Sequence, residues 1–136
     1  MTISMAKTVL IVDDDKLVQR TCELLCKRWG HRVLFADDGD AALRILRFAG
    51  ATGIDVIVLD IIMPMKDGFE TLLDLKRLFP SVRVIVMTGA RTNADHNYLS
   101  LARKFGADGT IKKPFPPSAL REMIECTFGG TLARSS

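Results

Sequence analysis

Val9-Leu10-Ile11-Val12-Asp13-Asp14 is an apolar run that ends on two carboxylates, and the chain uses the same device three more times. Val56-Ile57-Val58-Leu59 leads into Asp60, Val84-Ile85-Val86-Met87 into Thr88, and the shorter Thr110-Ile111-Lys112 into Lys113-Pro114. The first three runs are nearly continuous Val, Ile and Leu, the pattern of strands covered on both faces. If the runs are neighbouring parallel strands, their carboxyl ends share one edge of a sheet, the edge where open α/β sheets bind ligands. That edge would carry three carboxylates, a hydroxyl and an ammonium. Such a set suits binding a hard cation and handling a phosphoryl group.

Strand-like runs begin near Thr8, Arg32, Val56, Arg83 and Gly109, about one βα unit apart. The segments between them have helical periodicity. Val18, Cys22, Leu25 and Trp29 make one apolar stripe, which places Trp29 in the core, and Gly30 stops the helix. Ala42, Ile45, Leu46 and Ala49 form a second stripe ended by Gly50, and Phe69, Leu72, Leu75 and Phe79 a third ended by Pro80. A fourth helix is expected over Asn93 to Phe105, before Gly106, and a last one carries Leu120, Met123, Ile124 and Phe128 after Pro116-Pro117. Five βα units predict an α/β fold, a doubly wound five-stranded parallel sheet with helices on both faces. One domain is expected over residues 7–128, with residues 1–6 and 129–136 as flexible termini.

The length of 136 residues suits one domain with a sizeable core. No apolar stretch reaches the roughly 20 residues needed to span a bilayer, and the first residues lack the apolar core of a secretion signal. A cytoplasmic protein without membrane insertion is therefore expected. Residues 1–68 hold 9 Lys/Arg against 10 Asp/Glu, and residues 69–136 hold 10 against 6, so the net charge of +3 lies in the second half. The basic residues are dispersed, without aromatic interleaving, which favours a solvated face over nucleic-acid binding. Cys22, Cys26 and Cys126 offer no zinc-site spacing, and Cys22 and Cys26 read as buried filler. His31 and His96 read as ordinary surface or boundary residues. Asp15 reads as a helix-start acid, favoured by capping and by the helix dipole.

Crowded carboxylates resist ionisation unless a cation compensates them. Mg²⁺ is the natural partner, because it binds through one or two carboxylates and keeps waters that a phosphate can replace. Asp60 stands alone at its strand end and is expected to be the most exposed of the carboxylates as a nucleophile, able to attack phosphorus and form an acyl phosphate. Lys113 would then neutralise phosphoryl oxygens, and Thr88 would donate a hydrogen bond to one of them.

At these residues the chain resembles the receiver domain of two-component response regulators, over roughly Lys7 to Phe128. The matching motifs are Val12-Asp13-Asp14, Leu59-Asp60 followed by Met63-Pro64 and Asp67-Gly68, Thr88-Gly89, and Lys113-Pro114-Phe115. Each is weak alone, but all of them in order are specific. The resemblance implies a flavodoxin-like strand order of 2-1-3-4-5 and a stand-alone module similar to chemotaxis regulators. Asp60 is then the phosphoacceptor and Asp14 a direct Mg²⁺ ligand, with Asp13 acting mainly through coordinated water. Ile62 offers its backbone carbonyl to the metal, Thr88 is the switch hydroxyl, and Lys113 is the phosphate-binding cation. A cis peptide between Lys113 and Pro114 is implied, and Gly68 would give the loop after Asp60 backbone freedom.

The implied partners are a sensor histidine kinase or histidine phosphotransfer protein as donor, and a downstream protein met through the helix 4–strand 5–helix 5 face. Homodimerisation on phosphorylation is a further implied option. Catalysis is limited to the domain's own phosphorylation and dephosphorylation, so it is not an enzyme in the ordinary sense. The alternatives are a receiver fragment of a larger regulator or hybrid kinase, or a Mg²⁺-dependent phosphatase or phosphotransferase with an Asp nucleophile. The latter usually place a second Asp two residues after the first, where this chain has Ile62. A flavin carrier is disfavoured because the acidic turn Asp13-Asp14-Asp15 would repel a phosphate.

Two departures from the family pattern bear on signalling. Members commonly carry Tyr or Phe three residues before the lysine, and here that position is Thr110. A threonine cannot fill the cavity of a ring, so either a variant output mechanism or a smaller phosphorylation-induced change is expected, the intact chemical residues favouring the variant. The second departure is the apolar pair Ile62 and Ala90, two residues past Asp60 and Thr88, positions that flank the route of hydrolytic water in the family. Neither side chain can orient that water, so the acyl phosphate on Asp60 is expected to be long-lived. Following its decay in Mg²⁺ checks this, and loss within seconds would refute it.

Overall fold

A computed structural model describes residues 6–49, 53–61, 68–89 and 94–127. Ile62, Met63-Pro64, Asp67, Ala90, the His96 side chain, Gly50, Phe128 and the end segments 1–5 and 129–136 lie outside the described residues. The elements alternate strictly: β1 (Thr8–Val12), α1 (Lys16–Arg28), β2 (Arg32–Ala36), α2 (Gly39–Ala49), β3 (Val56–Asp60), α3 (Gly68–Leu78), β4 (Arg83–Thr88), α4 (Ala94–Lys104), β5 (Gly109–Lys112) and α5 (Pro117–Cys126). Every strand starts where the sequence predicts it, and helix ends differ by a residue or two, the ordinary uncertainty of a helix end. The strands form one sheet in the order β2-β1-β3-β4-β5, each pair parallel. Among the described residues no helix is long and apolar enough to cross a membrane.

The unbroken apolar runs are explained by what lies above and below them. Leu10, Val12, Ile57, Leu59, Val84 and Val86 face one layer, built from Ala42, Leu46, Leu72, Leu75 and Ala102 of α2, α3 and α4. Val9, Ile11, Val56, Val58, Ile85 and Met87 face the other, built from Cys22, Cys26, Leu120 and Ile124 of α1 and α5. All five residues of β3 are buried, whereas β2 at the sheet edge leaves Arg32 and Leu34 exposed. Each fully buried Leu or Ile contributes about 1.5–3 kcal/mol. The central strands are therefore fixed by packing, and the side chains at their carboxyl ends start from rigid supports.

Helix α1 begins as expected, with Asp15 at its N-cap accepting from Leu17 N at 2.9 Å. It ends at Gly30, whose φ of 89° is left-handed, with Lys27 and Arg28 in the last turn. Cys22 and Cys26 are fully buried, and burial pushes their thiols up to about 11 and about 12. Neutral at ordinary pH, they behave as small apolar groups, as expected. Trp29 packs against the core layer of α1 and α5 as expected, but only half-buried, and the Arg121 guanidinium lies 5.8 Å from its ring centroid. His31 also differs, being buried at 7% exposure with Nδ1 accepting from Lys7 N at 3.1 Å. Burial lowers its pKa and keeps the imidazole neutral, so it serves as a fixed acceptor at the start of β1.

Gly68 corrects a detail of the sequence reading. Positive φ among the described glycines occurs at Gly30 and Gly106, so backbone freedom is not what position 68 needs. Gly68 N donates to Ile61 O at 3.2 Å, and a Cβ at this position would overlap the carbonyl and Cα of Ile61. The requirement is close approach of two backbones, which a side chain blocks. Because Ile61 follows Asp60, that contact ties the start of α3 to the end of β3. Gly68→Ala is expected to lower stability in urea unfolding by about 1–3 kcal/mol, the usual cost of overpacking against atoms that cannot move aside. A change under about 0.5 kcal/mol, the size of an ordinary surface substitution, would refute this account.

Candidate functional site

The carboxyl edge of the sheet gathers the predicted residues from four strands. Asp13 follows β1 and is fully buried; Asp60 ends β3 at 6% exposure; Thr88 ends β4 and is fully buried. Lys113 follows β5, with its backbone N donating to Thr88 O at 2.7 Å and the expected cis peptide to Pro114. Register places Val12 beside Leu59, Asp60 beside Met87, and Thr88 beside Lys112, so all these strand ends lie at one level. Asp14, and not Asp60 as expected, is the exposed carboxylate, at the mouth of the site; Asp60 is buried because the fully buried β3 carries it to its last residue.

Every polar atom of Asp13 has a partner. Its N donates to Ala36 O at 3.1 Å, and Oδ1 accepts from Asp15 N at 2.9 Å. Oδ2 accepts from Lys113 Nζ at 2.9 Å, and the backbone O accepts from Gln19 Nε2 at 2.6 Å. The Lys113 ammonium also stands 3.5 Å from Asp60 Oδ2, so one cation bridges two buried acids. Burial alone would lower the Lys113 pKa, but the hydrogen bond to Asp13 and the charge of Asp60 outweigh it, and the net shift is upward. Lys113 therefore stays charged across the neutral range.

Oxygens of Asp13, Asp14 and Asp60 all lie within 4.8 Å of one another. One ammonium against three carboxylates leaves an excess of negative charge, and the converging donors are all hard oxygens. The set fits a small divalent cation such as Mg²⁺. Ile62, whose backbone carbonyl was expected to complete it, lies outside the described residues.

Thr88 Oγ1 is buried and has no hydrogen-bond partner among the described residues. Leaving such a group unsatisfied costs about 1–3 kcal/mol, and an orphaned hydroxyl beside an anionic site invites a ligand oxygen. On the same face of the sheet, Thr110 lies opposite Val86 and is buried. Its Oγ1 accepts from Arg103 Nε at 3.3 Å and from Nη2 at 3.1 Å. The position expected to lack a switch ring thus holds a polar tie from β5 to α4.

Gln19 was not anticipated. It is buried in α1 in line with Cys22 and Cys26, and its Nε2 reaches Asp37 Oδ1 at 2.8 Å as well as Asp13 O. The available signal was a polar residue at i, i+3, i+7 spacing with two buried thiols, a place where only a side chain with a buried partner is tolerated.

A sequence model of the response regulator receiver domain matches residues 9–125. Response regulator GtcR of Aneurinibacillus migulanus is 34% identical over 113 residues, covering 83% of this chain and 44% of that protein. Response regulator SaeR of Staphylococcus epidermidis is 34% identical over 128 residues, covering 94% of this chain and 51% of its own length. The chain thus spans about half the length of the curated relatives it matches. The crystal structure of a response regulator receiver domain protein from Clostridium thermocellum superposes with a TM-score of 0.82 at 29% identity, covering 92% of this chain and 95% of that one. Site, strand order and sequence agree: this chain belongs to the response regulator receiver domain family, whose members are signalling modules of two-component systems.

Proposed function

We propose that this receiver domain, over residues 7–128, takes a phosphoryl group onto Asp60 and uses it to switch protein–protein contacts. The observation that carries the reading is the convergence of Asp13, Asp14 and Asp60 around one charged lysine, with an orphaned hydroxyl at the next strand end. An Asp60 carboxylate oxygen attacks the phosphorus of a phosphohistidine; the new O–P bond forms as the P–N bond breaks, and the leaving imidazole takes up a proton. Mg²⁺, held by Asp13, Asp14 and Asp60, would supply charge neutralisation to the phosphoryl oxygens. Lys113 gives up part of its contact with Asp60 and donates to a phosphoryl oxygen. Thr88 donates to another and so gains the partner it lacks.

The donor is a sensor histidine kinase or a histidine phosphotransfer protein in the cytoplasm. The face made by α4, β5 and α5 engages a downstream protein or, in a longer chain, an effector domain. Phosphorylation shifts that face between two pre-existing arrangements. The domain catalyses only its own phosphorylation and dephosphorylation.

Incubation with phosphoramidate and Mg²⁺, followed by intact-mass analysis, is expected to add one phosphoryl group to the wild type and none to Asp60→Ala or to protein treated with excess EDTA. An unmodified wild type would overturn the assignment. Thr88→Val separates chemistry from switching. It removes a buried hydroxyl with no partner, so unfolding stability should rise by about 1 kcal/mol. Asp60 should still be modified, while phosphorylation-dependent amide shifts at Arg103 and Thr110 shrink. A loss of more than about 1 kcal/mol would mean that the hydroxyl is satisfied in the folded protein.

A further inference from the structure

We infer that Gln19 is a positioning residue for the acidic turn and sets the geometry in which Asp14 meets a divalent cation. The inference rests on the reading of Asp13, Asp14 and Asp60 as a cation site. Gln19 sits at 8% exposure, and its amide nitrogen donates to Asp13 O at 2.6 Å and to Asp37 Oδ1 at 2.8 Å. Lys16 Nζ donates to the same Asp37 oxygen at 2.7 Å. Residues of α1 therefore join the end of β1 to the segment after β2 through two buried or half-buried hydrogen bonds.

The carbonyl that Gln19 holds belongs to the peptide plane linking Asp13 to Asp14. On one side of that turn Asp13 N is fixed to Ala36 O at 3.1 Å, and on the other Asp15 N is fixed to Asp13 Oδ1 at 2.9 Å. With the carbonyl also fixed, the plane cannot rotate, and the direction in which the Asp14 backbone leaves is set. Asp14 itself is exposed, so its direction depends on the backbone that carries it. Without Gln19 the Asp13 carbonyl would have to turn in search of a donor, because a buried acceptor is seldom left unpaired. That rotation would swing Asp14 away from Asp13 and Asp60. Groups that orient ligands in this way affect metal affinity about 10- to 100-fold.

The test measures Mg²⁺ affinity by calorimetry on the full chain, with Tm recorded in parallel. Gln19→Leu keeps the size but removes the donor, and is expected to weaken Mg²⁺ binding about 10- to 100-fold. A residue that merely fills space would show a lowered Tm with unchanged affinity. Asp37→Ala, at an exposed position, removes the outer anchor without threatening the fold and should weaken Mg²⁺ in the same direction by less. Saturating Mg²⁺ should restore the phosphoryl mass gain in Gln19→Leu, which distinguishes a cation defect from an error in the phosphoacceptor assignment. If Gln19→Leu and Asp37→Ala both bind Mg²⁺ as the wild type does, the inference is overturned; a wild type with no Mg²⁺ affinity overturns it together with the cation site.

Discussion

Two buried carboxylates share a single ammonium at the carboxyl edge of the sheet, and the rest of the fold keeps them from separating. Asp13 is fully buried, Asp60 nearly so, and Lys113 Nζ reaches them at 2.9 and 3.5 Å. At separations of about 4 Å and an effective dielectric near 20, like charges repel by roughly 4 kcal/mol. One lysine offsets part of this, and Asp14 adds a third acid at the mouth. A site left short of positive charge in this way suits a divalent cation. Its chemistry follows from the imbalance.

Rigidity beneath the site lets the imbalance persist. The residues leading into Asp13, Asp60 and Thr88 are fully buried between two helical layers, so the strands cannot drift apart to relieve repulsion. Cys22 and Cys26 lie in the α1 layer, where their raised pKa values keep them neutral and add no further anion near Asp13. Gly68 brings α3 against Ile61 and so anchors the residue after Asp60.

The sheet and its polar edge are legible because unbroken Val/Ile/Leu runs report burial on both faces, and each run ends on a polar residue that the fold brings to one edge. Periodicity reports which face a residue occupies, not what it touches, and the misreadings follow from this. His31 lies one residue past the glycine that ends α1, where sequence gives no face, yet its ring is buried against the start of β1. Trp29 is on the apolar stripe but caps the end of α1, so its ring packs on the core only in part, beside Arg121. Gly68 was read for backbone freedom, whereas the need is for the missing Cβ, a distinction visible only once Ile61 is located. Gln19 depends on a carbonyl six residues earlier and a carboxylate eighteen residues later, and no local pattern encodes that pair.

The same distinction applies to Thr110. Its identity says only that no aromatic ring occupies the position, while the structure adds a bond to Arg103 on α4. Thr88 and Thr110 project from adjacent strands on the face that α4 covers, two residues apart in register. A ring would have transmitted movement by vacating or filling a cavity. A hydrogen-bonded guanidinium responds to movement differently, because its two contacts are directional and are lost or strained by small shifts of the strand. The tie between β5 and α4 at this position therefore depends on the geometry of a polar contact rather than on packing volume.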